Sequence, residues 1–64
     1  MKRIKFLRHL EENGCYLLRE GSNHTLYFNP VNNAISTIPR HNDVKKFTVH
    51  KICKDLKITF PEGN

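Results

Sequence analysis

Acidic residues are scarce in this 64-residue chain, six Asp and Glu against eleven Lys and Arg. They are scattered, with no carboxylate cluster of the kind that holds Mg²⁺. Cysteine is equally sparse: Cys15 and Cys53 do not form a metal-type pair such as Cys-x-x-Cys. No secretory leader precedes them and each sits in an apolar pattern, so buried free thiols in a reducing cytoplasm are expected in preference to a disulfide. The apolar runs are far too short to span a membrane, and no repeat, linker or low-complexity segment interrupts the chain. Length excludes more still. One domain over residues 1–64 is the most it allows, and a domain of this size buries only about 60% of the surface its unfolded chain exposes. Neither a deep substrate cavity nor a regulatory domain has room. Chemistry is confined to the surface or a shallow groove, where a polymer binds more naturally than a metabolite, and an inhibitor would have to be another macromolecule.

What the chain has in excess is positive charge, with a pI near 9.6. A surplus of this kind favours a polyanion, because each Lys or Arg docked on a phosphate releases condensed counterions. By itself it is equally a means of keeping a small domain soluble.

Apolar spacing divides the chain into five elements. Residues 2–13 read as a helix with Ile4, Phe6, Leu7 and Leu10 near one face, closed by Gly14 at a C-cap position. Residues 15–19 are apolar and too short for a helix, so they form a strand, followed by turn chemistry at 20–23. A second strand covers 24–28, a loop of turn formers 29–33, and a β-branched third strand 34–38 that Pro39 ends. After the polar loop 40–46, Thr48 is placed to cap a helix in which Val49, Ile52, Cys53 and Leu56 stand at i, i+3, i+4 and i+7. Residues 58–64 form a tail whose Ile58 and Phe60 fold back on the core. The class is α+β, in the order α-β-β-β-α. A single apolar stripe on each helix packs both on one face of a three-stranded antiparallel sheet, the order of the double-stranded-RNA-binding domain.

Three segments resemble one family. Gly21-Ser22-Asn23-His24, opening a strand that carries Tyr27, resembles the Gly-Ser-x-His signature of the HicA toxins. Ile38-Pro39-Arg40-His41 is similar to the proline-arginine-histidine turn after that family's third strand, and 48–58 to its last helix and apolar terminus. The likeness covers residues 2–58 in order. It departs at Lys57, where family members usually carry a glycine that ends the helix. The resemblance implies a cytoplasmic, bacterial or archaeal, metal-independent ribonuclease with no cofactor. Such an enzyme cleaves mRNA and arrests translation as the toxin of a type II toxin–antitoxin pair. It also implies a HicB-type antitoxin encoded alongside that covers the active surface, with any contact to operator DNA made through that antitoxin.

The residues supply a chemistry for this. RNA carries its own nucleophile, the 2′-hydroxyl, so a cleaving enzyme must remove that proton, protonate the leaving 5′-oxygen and steady the charge on phosphorus. Imidazole, with a reference pKa of about 6.5, suits the proton transfers. Taken alone, His24 is an ordinary polar residue at a strand end; with the resemblance it becomes the catalytic residue. Gly21 in a positive-φ conformation would expose backbone N–H groups to a phosphate, and the Ser22 hydroxyl would add a donor. Ends alternate in a meander, so the end of the third strand lies at the edge where the second begins. Arg40, as a bidentate phosphate clamp, and His41, as a second acid/base group, are thereby brought toward His24, unless the loop is merely solvated. Lys45 and Lys46 strengthen the phosphate attraction of a helix N-terminus, whereas Lys51 and Lys54 read as solubilising. Tyr27 is either a base-stacking ring or core. His50 and Cys53 diverge on their helix and hold no zinc, and His9 is an exposed helix residue. The principal rival is a non-catalytic double-stranded-RNA-binding module. A small interaction domain whose charge has no nucleic-acid meaning is the third reading.

Overall fold

The computed structural model describes residues 1–22 and 24–61. Its elements run α1 (Arg3–Glu12), β1 (Tyr16–Glu20), β2 (Thr25–Asn29), β3 (Ala34–Ile38) and α2 (Lys46–Leu56). The strands form one antiparallel sheet in the order β1-β2-β3. The architecture is therefore the expected α-β-β-β-α, consistent with the double-stranded-RNA-binding topology.

Alternation along β2 and β3 decides what faces the helices. Thr25, Tyr27 and Asn29 of β2 and Ser36 and Ile38 of β3 are buried, while Leu26, Phe28, Ile35 and Thr37 point the other way. Both helices lie on the buried side. Tyr27 donates to Glu11 of α1 (3.4 Å), Asn29 donates to the Leu56 carbonyl of α2 (2.8 Å), and Ser36 donates to Asp55 (3.5 Å). Phe6 and Leu10 from α1 meet Val49, Ile52, Cys53 and Leu56 from α2 over that face, with Tyr27 and Ile38 beneath them. Tyr27 is thus core. Each such side chain contributes roughly 1.5–3 kcal/mol, against a whole-domain stability of about 3–10 kcal/mol at this length. A single truncation such as Phe6→Ala, which costs roughly 3–5 kcal/mol, is enough to threaten the fold.

The ends of the helices are fixed in two different ways. Each C-terminus closes locally with the same pair of bonds. At α1, Cys15 N–H reaches the Leu10 carbonyl (2.9 Å) and Gly14 N–H the Glu11 carbonyl (3.0 Å), with Gly14 at φ +86°. At α2, Ile58 N–H reaches Cys53 (3.0 Å) and Lys57 N–H reaches Lys54 (3.2 Å), with Lys57 itself at φ 58°. Both are Schellman closures. Lys57 therefore takes the left-handed conformation that glycine would adopt without strain, and the helix ends where the expected glycine would end it.

The N-termini have no side-chain caps. The start of α1 is held by the loop after β3: Arg3 N–H donates to the Asn42 carbonyl (2.7 Å) and Val44 N–H to the Met1 carbonyl (2.8 Å). Thr48 is not a cap. α2 begins at Lys46, one residue after Lys45, because burial of Val44 fixes where the loop stops and the helix starts. That burial is worth more than the ~1 kcal/mol a threonine cap would add. Of the two tail residues expected on the core, Ile58 packs there, but Phe60 does not: it is half-exposed and stacks on His50 with ring centroids 4.3 Å apart. His9 is half-buried, its ring nitrogen 2.7 Å from the Thr59 carbonyl. No described helix is long and apolar enough to cross a membrane. Cys15 and Cys53 are buried free thiols.

Candidate active site

β1 does not pair with β2 in simple alternation. Tyr16 faces Phe28 and Leu17 faces Tyr27, but the next matched residues are Arg19 with Leu26 and Glu20 with Thr25. Leu18 is the extra residue of a β-bulge. A one-residue slip moves every following side chain to the opposite face. Without it Arg19 would point at the helices and Glu20 away from them. With it, Arg19 joins Leu26 and Thr37 in one row on the outer face, and Glu20 joins Thr25 on the inner side.

Both consequences meet at the turn between β1 and β2. Arg19, Gly21, Ser22, His24, Leu26 and Thr37 line an open groove there. His24 is exposed and immediately precedes β2. On the inner side, the Thr25 hydroxyl donates to Glu20 Oε1 (2.6 Å) and accepts from Arg3 Nη2 (3.1 Å) and Arg40 Nε (3.3 Å). Arg3 also donates to the Pro39 carbonyl (2.8 Å), which ties the start of α1 to the end of β3 at this point. The Thr25 hydrogen bond, reinforced by Arg40 and Arg3, holds the Glu20 carboxyl below the ordinary carboxylate range.

Arg40 sits against the turn. Its guanidinium donates to Glu20 Oε1 (2.5 Å) and to the carbonyls of Ser22 (3.0 Å), His24 (3.2 Å) and Gly21. These contacts engage the fork with which a bidentate phosphate clamp would work. They also orient the turn. Because the peptide is planar, a Gly21 carbonyl directed at Arg40 sends the Ser22 N–H the opposite way. The Ser22 N–H and hydroxyl have no protein partner among the described residues, so they are the donors the turn offers.

Gly21 does not do what its type suggested. Its φ is not positive; among the described glycines only Gly14 is in that region. Its N–H is closed onto the His24 carbonyl at 2.8 Å, completing the hairpin, and so is not presented to a ligand. A Cβ there would lie 3.4 Å from that carbonyl, an ordinary contact. The conformational freedom of glycine is therefore not what this turn uses.

His41 and Lys45 lie elsewhere. They line a second depression with Pro39, Asp43, Val44, Phe47 and Thr48, at the start of α2. Lys46 is exposed beside them, in the first turn of the helix. The fold thus brings Gly21, Ser22, Arg40 and His24 together and sets His41, Lys45 and Lys46 apart. Arg19 was the residue the sequence concealed. It looked like the polar end of a strand, and only the bulge aims it into the groove. Charge balance isolates it further, since Glu20, Asp43 and Asp55 are paired with Arg40, Lys2 and Lys51. Among the described residues Arg19 has no acidic partner.

No curated protein and no solved structure matches the chain. A family model does, that of the HicA toxin of bacterial toxin–antitoxin systems, over residues 5–58. That span holds the three strands, the bulge, the whole groove and both helical faces of the core, so the chain belongs to the HicA toxin family and is the toxin of a toxin–antitoxin pair.

Proposed function

We propose that this toxin is a metal-independent endoribonuclease that cleaves mRNA in the cytoplasm and so stops translation and growth, with His24 as its proton-transfer group. One observation carries the reading: an exposed imidazole lines an open groove together with Arg19 and Ser22, and among the described residues that cation has no acidic partner and those serine donors have no acceptor. Those are the components that cleavage by the 2′-hydroxyl requires. His24 takes the 2′-hydroxyl proton or returns one to the 5′-oxygen. Arg19 and Ser22 steady the charge that builds on the phosphorane oxygens. Arg40 works from behind the turn, as a positioning residue that sets the direction of its carbonyls. His41, Lys45 and Lys46, set apart by the fold, contribute attraction to the phosphate chain and not proton transfer.

Inhibition in this reading is by occlusion. A HicB-type antitoxin laid over the groove blocks it without refolding the toxin, and any operator DNA is contacted by that antitoxin. The test is cleavage of single-stranded RNA in EDTA by wild type and His24→Ala, alongside growth arrest on induction. Cleavage and arrest by wild type alone are expected, with equal melting temperatures. Full cleavage by a folded His24→Ala variant overturns the assignment; RNA binding without cleavage by wild type returns the protein to the non-catalytic RNA-binding module.

A further inference from the structure

The outer face of the sheet is covered by no described element. Two cross-strand rows occupy it: Arg19, Leu26 and Thr37 at the turn end, then Tyr16, Phe28 and Ile35. Tyr16 and Ile35 are 49% and 51% exposed, large values for apolar side chains on a sheet this small. Tyr16 and Phe28 stand edge to face, with ring centroids 5.5 Å apart, so their aromatic surfaces are not used up on each other. The first of the two rows is also a wall of the His24 groove. Groove and aromatic row are therefore one continuous surface, separated by two residues of strand, or about 7 Å.

Its charge says what it fits. Arg19 is the one charged side chain in the two rows, and it stands at the groove end of the face. Among the described residues it has no acidic partner, since the adjacent Glu20 is paired with Arg40. A ligand that follows the surface must bring negative charge to Arg19 and flat apolar faces to Tyr16 and Phe28. A single-stranded nucleic acid brings both at every nucleotide. A duplex does not, because its base faces are stacked on one another.

We propose that the outer sheet face is a stacking platform for single-stranded RNA. Tyr16 and Phe28 lie under bases on one side of the cleaved nucleotide, and Arg19 holds the phosphate that joins those bases to it. The proposal rests on the reading of the His24 groove as the cleavage site, and it adds that the substrate arrives unpaired, across the sheet and not across the helices.

The test uses the non-cleaving His24→Ala protein and a short mixed-sequence RNA, single-stranded or annealed, followed by fluorescence anisotropy. Tyr16→Leu and Phe28→Leu retain apolar bulk but remove the aromatic face. Each should weaken single-strand binding roughly 5- to 10-fold, the low end of what a base–aromatic stack contributes. Tyr16→Phe, which keeps the ring, should bind like its parent. Of the two tyrosines only Tyr16 is exposed, so unlabelled RNA should quench tyrosine emission in the parent and not in Tyr16→Leu. Melting curves establish that the variants are folded. Unchanged single-strand affinity in Tyr16→Leu, or equal affinity for duplex and single strand in the parent, overturns the platform while leaving His24 cleavage standing. Absence of RNA binding by the parent, together with absence of cleavage by wild type, overturns the underlying reading as well. If the leucine variants change only self-association in sedimentation, the face belongs to a second copy of the chain and the platform fails.

Discussion

Arg19 and Arg40 flank the same turn, yet the structure gives them opposite tasks, and salt dependence separates the two. Among the described residues Arg19 has no side-chain partner, and it lines the groove, so its loss should remove one phosphate contact. On single-stranded nucleic acid each such contact contributes about 0.7 to the slope of log affinity against log salt. Arg19→Ala should lower the slope by that amount, so that a fourfold rise in salt costs the variant roughly 2.6-fold less affinity than it costs the parent. Arg40, by contrast, donates to Glu20, Gly21, Ser22 and His24. Arg40→Ala should leave the salt slope unchanged and loosen the turn instead. Its side chain is 39% exposed, so water replaces part of what is lost. The cost is therefore near a single charged hydrogen bond, about 1.5 kcal/mol. In a domain of this length that lowers the melting temperature by roughly 6–12 °C. Arg40→Lys keeps the charge but not the fork, and should resemble Arg40→Ala in stability. Anisotropy titrations across a salt series in the His24→Ala background, with melting curves on the same samples, read both effects. A slope that falls equally in both alanine variants, with no thermal loss in Arg40→Ala, would refute the division of roles and make Arg40 a phosphate ligand.

Two further outcomes follow, one from the end of α2 and one from the core. Lys57→Gly should stabilise the protein, since a non-glycine residue at φ 58° carries about 1–2 kcal/mol of strain. Glycine returns part of that as chain entropy. The net gain of about 0.5–1 kcal/mol should appear as a rise of a few degrees in the melting temperature, and a fall would show that Lys57 is not strained. The Cys53 thiol is pushed up to about 11 by burial, with Cys15 nearby adding to it. The unfolded thiol, with its ordinary value of 9.0, loses its proton first, so this contribution is intact below pH 9 and lost as pH rises toward 11. Cys53→Ala should flatten that alkaline decline in denaturant midpoints; an unchanged pH profile would show that the thiol does not contribute.

Elements, their order and the core face of α2 were legible in the residues themselves, whereas Ile4, expected on the apolar face of α1, is largely exposed. Val49, Ile52, Cys53 and Leu56 can share a surface only on a helix. Gly14 closes α1 with bonds that span only a few residues. Each of these is a local property, set by backbone geometry within one turn or one strand. The groove is different. Arg19 faces it only because Leu18 is an unpaired residue opposite β2, and a bulge is a property of two strands in register, not of either one. Arg40 meets the turn by crossing 16 to 20 positions of sequence, and Arg3 arrives from the first helix to share Thr25. The start of α2 was decided by burial of Val44, which outweighed the local preference of Thr48 for a cap. The alternation of strand ends predicts His41 near His24, but it brings the chain to the turn only as far as Arg40. Beyond it, the bonds from Met1 and Arg3 to Val44 and Asn42 draw the loop toward the first helix and carry His41 into the second depression. Sequence spacing reports what one segment can do alone, whereas the aim of a side chain into a groove depends on partners that only the folded chain brings within reach.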